Sequence, residues 1–240
     1  MAKRRTRKKS RKKGRLRRWL GPVLKWGLRG FAAITLLLAL VMGLYRLINP
    51  PTTPYMFAEQ RRLGGVQRDW VPLERIAPAL ARAVVAAEDA NFCLHWGFDL
   101  PAIRDAIDDG GTRGASTISQ QTVKNVFLWH GRTYTRKALE ALMTPALEAV
   151  WPKTRILEVY LNVAEFDTGV FGVEAAAQHY FGLSAADLSD VQAARLAAIL
   201  PDPKGRSAAD PSDFVRNRAR SILSGEATID RDGRANCFQS

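Results

Sequence analysis

The chain is poor in the residues that build the commonest sites. Its 240 residues include only two cysteines and three histidines. His95, His130 and His179 show no metal-ligand spacing among themselves or with Cys93 and Cys237, so nothing points to a zinc centre. Two cysteines that far apart make no disulfide framework; outside the cytoplasm they could pair or stay free thiols. No Gly-rich phosphate loop of either common type is present. A Ser-x-x-Lys of the penicillin-reactive kind occurs at Ser10-Arg11-Lys12-Lys13, where a basic tail makes it a chance match, and none lies further on. There is no long strand alternation, no internal repeat and no low-complexity segment beyond the tail.

Acidic residues are also missing from residues 1–29, which hold fourteen Lys or Arg. That excess exceeds the whole formal charge of +13 and leaves the other 211 residues at about −1. A nucleic-acid reading therefore fails, because the body of the protein is not basic. From Gly30 to Tyr45 the sequence carries no charge. With its flanks it approaches the ~20 residues that a membrane-crossing helix needs, with Trp26 and Tyr45 suited to the interfaces. Twelve of the basic residues precede Trp19, which places the N-terminus in the cytoplasm. The long basic run and the absence of a small-x-small site after it favour an uncleaved anchor over a signal peptide. The expected organisation is a basic cytoplasmic tail (1–25), a transmembrane helix (26–48) and a Pro-rich linker and juxtamembrane segment (49–70). A catalytic domain (71–224) and a polar C-terminal tail (225–240) complete it.

The body reads as mainly α. Leu139, Leu142, Met143, Ala146, Leu147 and Val150 follow helical spacing, with a kink or break expected at Pro145. Ser189-Asp190-Val191-Gln192 is a capping box opening a helix that ends before Pro201. A short helix starts at Pro101 and closes at Gly110-Gly111, and another stripe from Val173 to Phe181 stops at Gly182.

Three segments invite chemistry. An apolar helix (Ile76, Leu80, Val84, Ala87) ends on Glu88-Asp89, although the helix dipole disfavours acids there. Gly114-Ala115-Ser116-Thr117-Ile118-Ser119-Gln120-Gln121, followed by Lys124-Asn125, collects hydroxyls and amides that can cradle a sugar or phosphate, or form an ordinary polar loop. Arg132, Arg136, Lys137 and Glu140 form a third group, in which Arg136 and Glu140 at i, i+4 would plainly be a surface ion pair worth little.

Together these segments resemble glycosyltransferase family 51, the peptidoglycan glycosyltransferases. The pattern Glu-Asp-x-x-Phe-x-x-His-x-Gly is met at Glu88, Asp89, Phe92, His95 and Gly97. Gly-x-Ser-Thr-Ile-Thr-Gln-Gln is met from Gly114 to Gln121, with Ser119 in place of the usual Thr. Arg-Lys-x-x-Glu is met at Arg136, Lys137 and Glu140, and Ile-Leu-Glu-x-Tyr-Leu-Asn from Ile156 to Asn162. The run from Gly169 to Gly182 looks like the monofunctional members of Gram-negative bacteria. Phe166-Asp167-Thr168 also departs from the pattern, where relatives more often carry an aromatic followed by glycines.

The resemblance covers about residues 60–205. It implies a lysozyme-like helical lobe with a smaller membrane-facing lobe. The implied reaction is inverting polymerisation of lipid II into β-1,4-linked glycan with release of polyprenyl diphosphate. Glu88 is then the expected general base and Glu140 the second carboxylate, organising cations and phosphate. Lys124, Arg132 and Arg136 would face the pyrophosphate, and Asp89, Ser116, Gln120 and Gln121 the donor. A divalent cation, Mg or Mn, could share the phosphate charge, yet nothing encodes an all-protein cage. The expected partners are lipid II, the growing lipid-linked chain, the membrane, and other wall-synthesis and division proteins. The expected location is the inner membrane with the catalytic domain periplasmic. Val126-Phe127-Leu128-Trp129 could dip into the interface or form core. A lysozyme-like lytic enzyme would not need the Lys124/Arg132 set, and a decayed wall-binding scaffold would not need both Glu88 and Glu140.

Overall fold

A computed structural model describes residues 10–110, 114–131 and 133–239, with side chains described from Pro22 onward except that of Val23. The architecture is mainly α. The chain divides into two units, residues 1–48 and 49–240. Among its described residues the first holds one helix, α1 (Ser10–Tyr45), whose first described turn lies within the expected basic tail. Its segment Leu24–Tyr45, 22 residues, is long and apolar enough to cross a membrane. At 1.5 Å per residue it spans about 33 Å, matching a bilayer core of ~30 Å.

In the second unit, the segment expected as linker contains a helix, α2 (Pro54–Leu63). Pro54 takes the first helical position, Thr53 caps Met56 N–H at 3.2 Å, and Gly64 closes the helix at φ 79°. Thus the last proline of the Pro-rich stretch starts a helix. There follow β1 (Gln67–Arg68), a single 3₁₀ turn, α3 (Pro78–Glu88) and α4 (Leu100–Asp108). Then come α5 (Ile118–Phe127), α6 (Tyr134–Val150) and α7 (Lys153–Val163). The chain closes with β2 (Glu165–Asp167), β3 (Val170–Phe171), α8 (Val173–Phe181), α9 (Asp190–Ile199) and α10 (Asp213–Arg231). The three short strands lie in the order β1-β3-β2, with β1 parallel and β2 antiparallel to β3.

Two packed groups carry the core. α3 lies against α9 and α10, and α5 lies against α6 and α7. Ala79, Ala81, Ala83, Ala193, Ala194, Ala197 and Ala198 are buried at the first group, where small side chains allow close helix approach. Asn162, fully buried at the end of α7, receives Val71 N–H at 2.9 Å and donates to Val71 O at 2.8 Å, satisfying both polar groups of that residue.

Two expectations need correcting, and one open alternative is decided. The break considered at Pro145 does not occur; α6 runs through it, the missing N–H costs one rung, and Thr144 Oγ1 donates to Glu140 O at 2.7 Å. The boundary at residue 224 falls inside α10, and the polar tail is folded, with Glu226, Ile229, Ala235 and Phe238 buried. Its few apolar residues are spaced to face the body. Cys93 and Cys237 are not free; they form a disulfide with Cα atoms 5.6 Å apart.

Candidate active site

The end of α3 places Glu88 where α5 begins. Gln121 sits in the first turn of α5 because Thr117 and Gln120 cap that helix reciprocally. Gln121 Nε2 donates to Glu88 Oε2 at 2.8 Å, while its Oε1 accepts from Tyr160 OH at 3.2 Å. Gln121 is therefore oriented by a buried tyrosine and in turn orients Glu88. Burial raises the Glu88 pKa; the Gln121 hydrogen bond and the charges of Arg218 and Lys124 pull the other way, and Asp89 adds to the rise.

Asp89 caps α3 and has both oxygens occupied. Oδ1 lies 2.7 Å from His95 Nε2, and Oδ2 accepts Ile118 N–H at 2.9 Å, at the first residue of α5. The macrodipole argument against an acid at the end of α3 is thus answered by the opposite pole of α5. Gln120 is similarly occupied, since its Oε1 accepts from Thr117 N–H at 3.0 Å. Both residues build the corner from which Glu88 and Gln121 project. Gly97 closes this corner at φ 88°; a Cβ there would stand 2.7 Å from Thr144 Cγ2. Thr117 Oγ1 donates to Gly97 O at 2.7 Å.

α6 supplies the second carboxylate. Glu140 is only 2% exposed, with Oε2 accepting from Arg136 at 2.6 Å and Oε1 from Lys137 Nζ at 2.5 Å. The Arg136–Glu140 pair is buried, not the surface pair that its spacing alone suggests. Arg136 Nε also donates to Gly131 O at 2.7 Å, and Lys137 Nζ reaches Ser116 Oγ at 3.1 Å. Lys137 had no role assigned from the sequence, although its i, i+3 spacing to Glu140 signals one.

Lys124 stands between these halves. It is half-buried, and its side chain makes no hydrogen bond or ion pair among the described residues. Desolvation lowers its pKa; Glu140 and Glu88 oppose this, and Arg136 and Lys137 reinforce it. A lysine in the field of two carboxylates and two cations, with its donors unspent, is built to receive an anion. Arg132 lies outside the described residues. Nearby, the His130 ring stacks on Tyr55 at 3.4 Å. Loss of solvent around that ring, then the charges of Lys124, Arg136 and Lys204, lower His130 to about 4.

Glu140, with both oxygens paired, offers no open ligand to a divalent cation, and no group of three His, Cys, Asp or Glu among the described residues could hold one. Val126 and Leu128 are buried, whereas Trp129 is exposed.

The body is helical and carries a desolvated glutamate in the field of Lys124 and Arg218, and comparison with known proteins gives the class of protein as a glycosyl-group-transferring one. The profile of a family described as transglycosylase matches residues 57–226. The chain is 60% identical over 238 residues to a "Biosynthetic peptidoglycan transglycosylase" of Jannaschia sp. (strain CCS1), covering 99% of each chain. It is 48% identical to proteins of the same name from Caulobacter vibrioides, over 85% of this chain and 93% of that one, and Rhodospirillum centenum, over 86% and 92%. The chain belongs to the transglycosylase family, in the group that contains these biosynthetic enzymes.

Proposed function

We propose that this protein is a peptidoglycan glycosyltransferase. It polymerises lipid II into β-1,4-linked strands and releases polyprenyl diphosphate. The observation that carries the reading is Lys124, an unpaired, desolvated cation in the field of both Glu88 and Glu140.

The 4-hydroxyl of the incoming sugar is a weak nucleophile at neutral pH. Glu88, its proton affinity raised by burial, accepts that proton as the hydroxyl attacks the donor's anomeric carbon. Converting an α-linked donor to a β-linked product in one displacement inverts the centre. The leaving pyrophosphate is a stable anion, so cationic stabilisation serves it better than a general acid. Lys124 supplies that charge directly, together with Arg132 and Arg136. Glu140 fixes Arg136 and Lys137 in position, and Ser116 shares Lys137 with it. Asp89 and Gln120 act through the corner they hold.

The helix Leu24–Tyr45 is compatible with a single-pass anchor. The basic residues before it favour a cytoplasmic N-terminus and a periplasmic catalytic unit in the inner membrane. The disulfide supports this, since such bonds persist in oxidising compartments. Tethering raises the effective concentration of the enzyme towards its two lipid substrates.

The deciding experiment supplies purified full-length protein with lipid II in detergent. Lysozyme-sensitive glycan should form with wild type and not with Glu88→Gln. No glycan from the wild type, or equal glycan from both, would refute the assignment.

A further inference from the structure

The residues after α10 have no part in the chemistry above, yet they close on the helix that carries Glu88. A helix end leaves carbonyls without partners. At the end of α3, Ala87 O accepts from Arg218 at 3.5 Å and Ala90 O from Arg234 at 3.2 Å, both donors coming from the C-terminal region. Three residues further on, Cys93 is joined to Cys237. Buried Phe238 packs beside buried Phe92, with ring centroids 6.3 Å apart. At the other end of α3, Gln239 Nε2 donates to Pro78 O at 2.9 Å and its Oε1 accepts from Arg82 at 3.2 Å. The links at 87, 90 and 93 bracket Glu88 and Asp89.

Residues 232–239 are too few to hold themselves in place. Residues 232–234 bond back to the end of α10, and from Asn236 on the backbone bonds are turns within the segment, as in Phe238 N–H to Ala235 O at 3.0 Å. A short terminal segment of this kind frays unless tied down. The disulfide supplies the tie, across 144 residues of sequence.

We infer that residues 232–239 form a strap, locked by the Cys93–Cys237 disulfide, that positions Glu88, so that turnover depends on the thiol–disulfide state of this pair. The inference rests on the reading of Glu88 as base. Both cysteines are half-buried, and a groove of about 490 Å³ lined by Leu73, Glu74, Pro78 and Cys237 reaches the bridge. A dithiol reductant can therefore act there. It delivers two electrons and two protons, the Sγ–Sγ bond breaks into two thiols, and the reductant leaves as its own cyclic disulfide.

Loosening the strap frees the 89–97 loop and with it the end of α3. The surroundings of Glu88 then change: Asp89 beside it, Gln121 and Lys124 from α5, Tyr160 from α7 and Arg218 from α10. The buried face of α9 offers only Ala, Leu and Ile.

The test uses the full chain in detergent with lipid II, measuring kcat, KM and pH profile. Four samples are compared: oxidised wild type, wild type treated with dithiothreitol, Cys93→Ser/Cys237→Ser, and Arg234→Ala. The reduced protein and the double variant should keep their helical signal and KM while kcat falls between about tenfold and 10²-fold, the scale of a small misplacement. Their acidic limb should move, and reoxidation should restore the reduced wild type alone. Unchanged kcat and limb on reduction, or alkylatable thiols at 93 and 237 in the unreduced protein, would overturn the strap. Should reduction abolish the helical signal, Arg234→Ala with the disulfide intact decides, and an unaltered profile there overturns it. Glu88→Gln in the same assay separates the two readings. Its full activity sinks the base assignment, whereas its inactivity beside a redox-indifferent wild type sinks the strap alone.

Discussion

The two carboxylates of the site live in opposite surroundings. Glu88 is desolvated, holds one neutral amide and makes no ion pair among the described residues. Glu140 is more deeply buried, yet each of its oxygens meets a cationic side chain. A carboxylate with a free oxygen and a raised pKa can take a proton; one pinned by Arg136 and Lys137 can only hold those cations still. Burial by itself does not make a base, and the partners decide.

The largest expected effect follows from that difference. Glu88→Gln keeps the shape and removes the proton acceptor, so kcat should fall by ~10² or more while substrate binding persists. A Glu140→Gln variant with the larger kcat loss and unchanged KM would reverse the assignment. Next, Lys124→Ala should cost on the order of 1–3 kcal/mol in transition-state stabilisation, as should Arg132→Ala, with helical content intact. Normal turnover in both would remove the cations from the reaction.

Glu140→Gln should act differently in kind. It releases Arg136 and Lys137, so KM for the donor should rise as kcat falls, and stability should drop by about 1–3 kcal/mol, measured by chemical denaturation. Gly97→Ala probes the join between the halves, because its Cβ would strike Thr144 of α6 at positive φ. A loss of about 1–3 kcal/mol is expected, and an unchanged midpoint would show that the corner yields.

The smallest effect concerns pH and stability. Glu88 has a folded-state pKa above its unfolded value, so its contribution to stability is fully present below the unfolded pKa. That contribution is lost as pH rises through the folded one. Glu88→Gln should therefore melt at or above the wild-type temperature at neutral pH, and the gain should fade in acid. A variant that melts lower at neutral pH and equally in acid would mean that the carboxylate is stabilising there, against its desolvated setting.

Much of this was legible in the sequence because it is local. The capping box at Ser189, the helix start at Pro101 and the motif residues Glu88, Gln121, Lys124 and Glu140 all lie in short patterns. What stayed hidden depends on distance. The sequence offers no sign that Gln121 orients Glu88, 33 residues away, or that Asp89 serves the start of α5, 29 residues on. Whether Cys93 and Cys237 pair was undecidable with 144 residues between the thiols. The folded tail was missed because Ile229, Ala235 and Phe238 are too sparse among polar neighbours to show a period. Glu140 looked like half of a surface pair because i, i+4 spacing says nothing about depth.

The packing of α3 against α9 and α10 also has a consequence in time. Glu88 leaves the ribosome early, but α10, which finishes its surroundings, begins 125 residues later at Asp213. At ~5–20 residues per second that interval lasts roughly 6–25 s. During synthesis the chain carries Glu88 for that interval without the last helix that surrounds it. The desolvated setting of this side chain is thus completed only when α10 arrives.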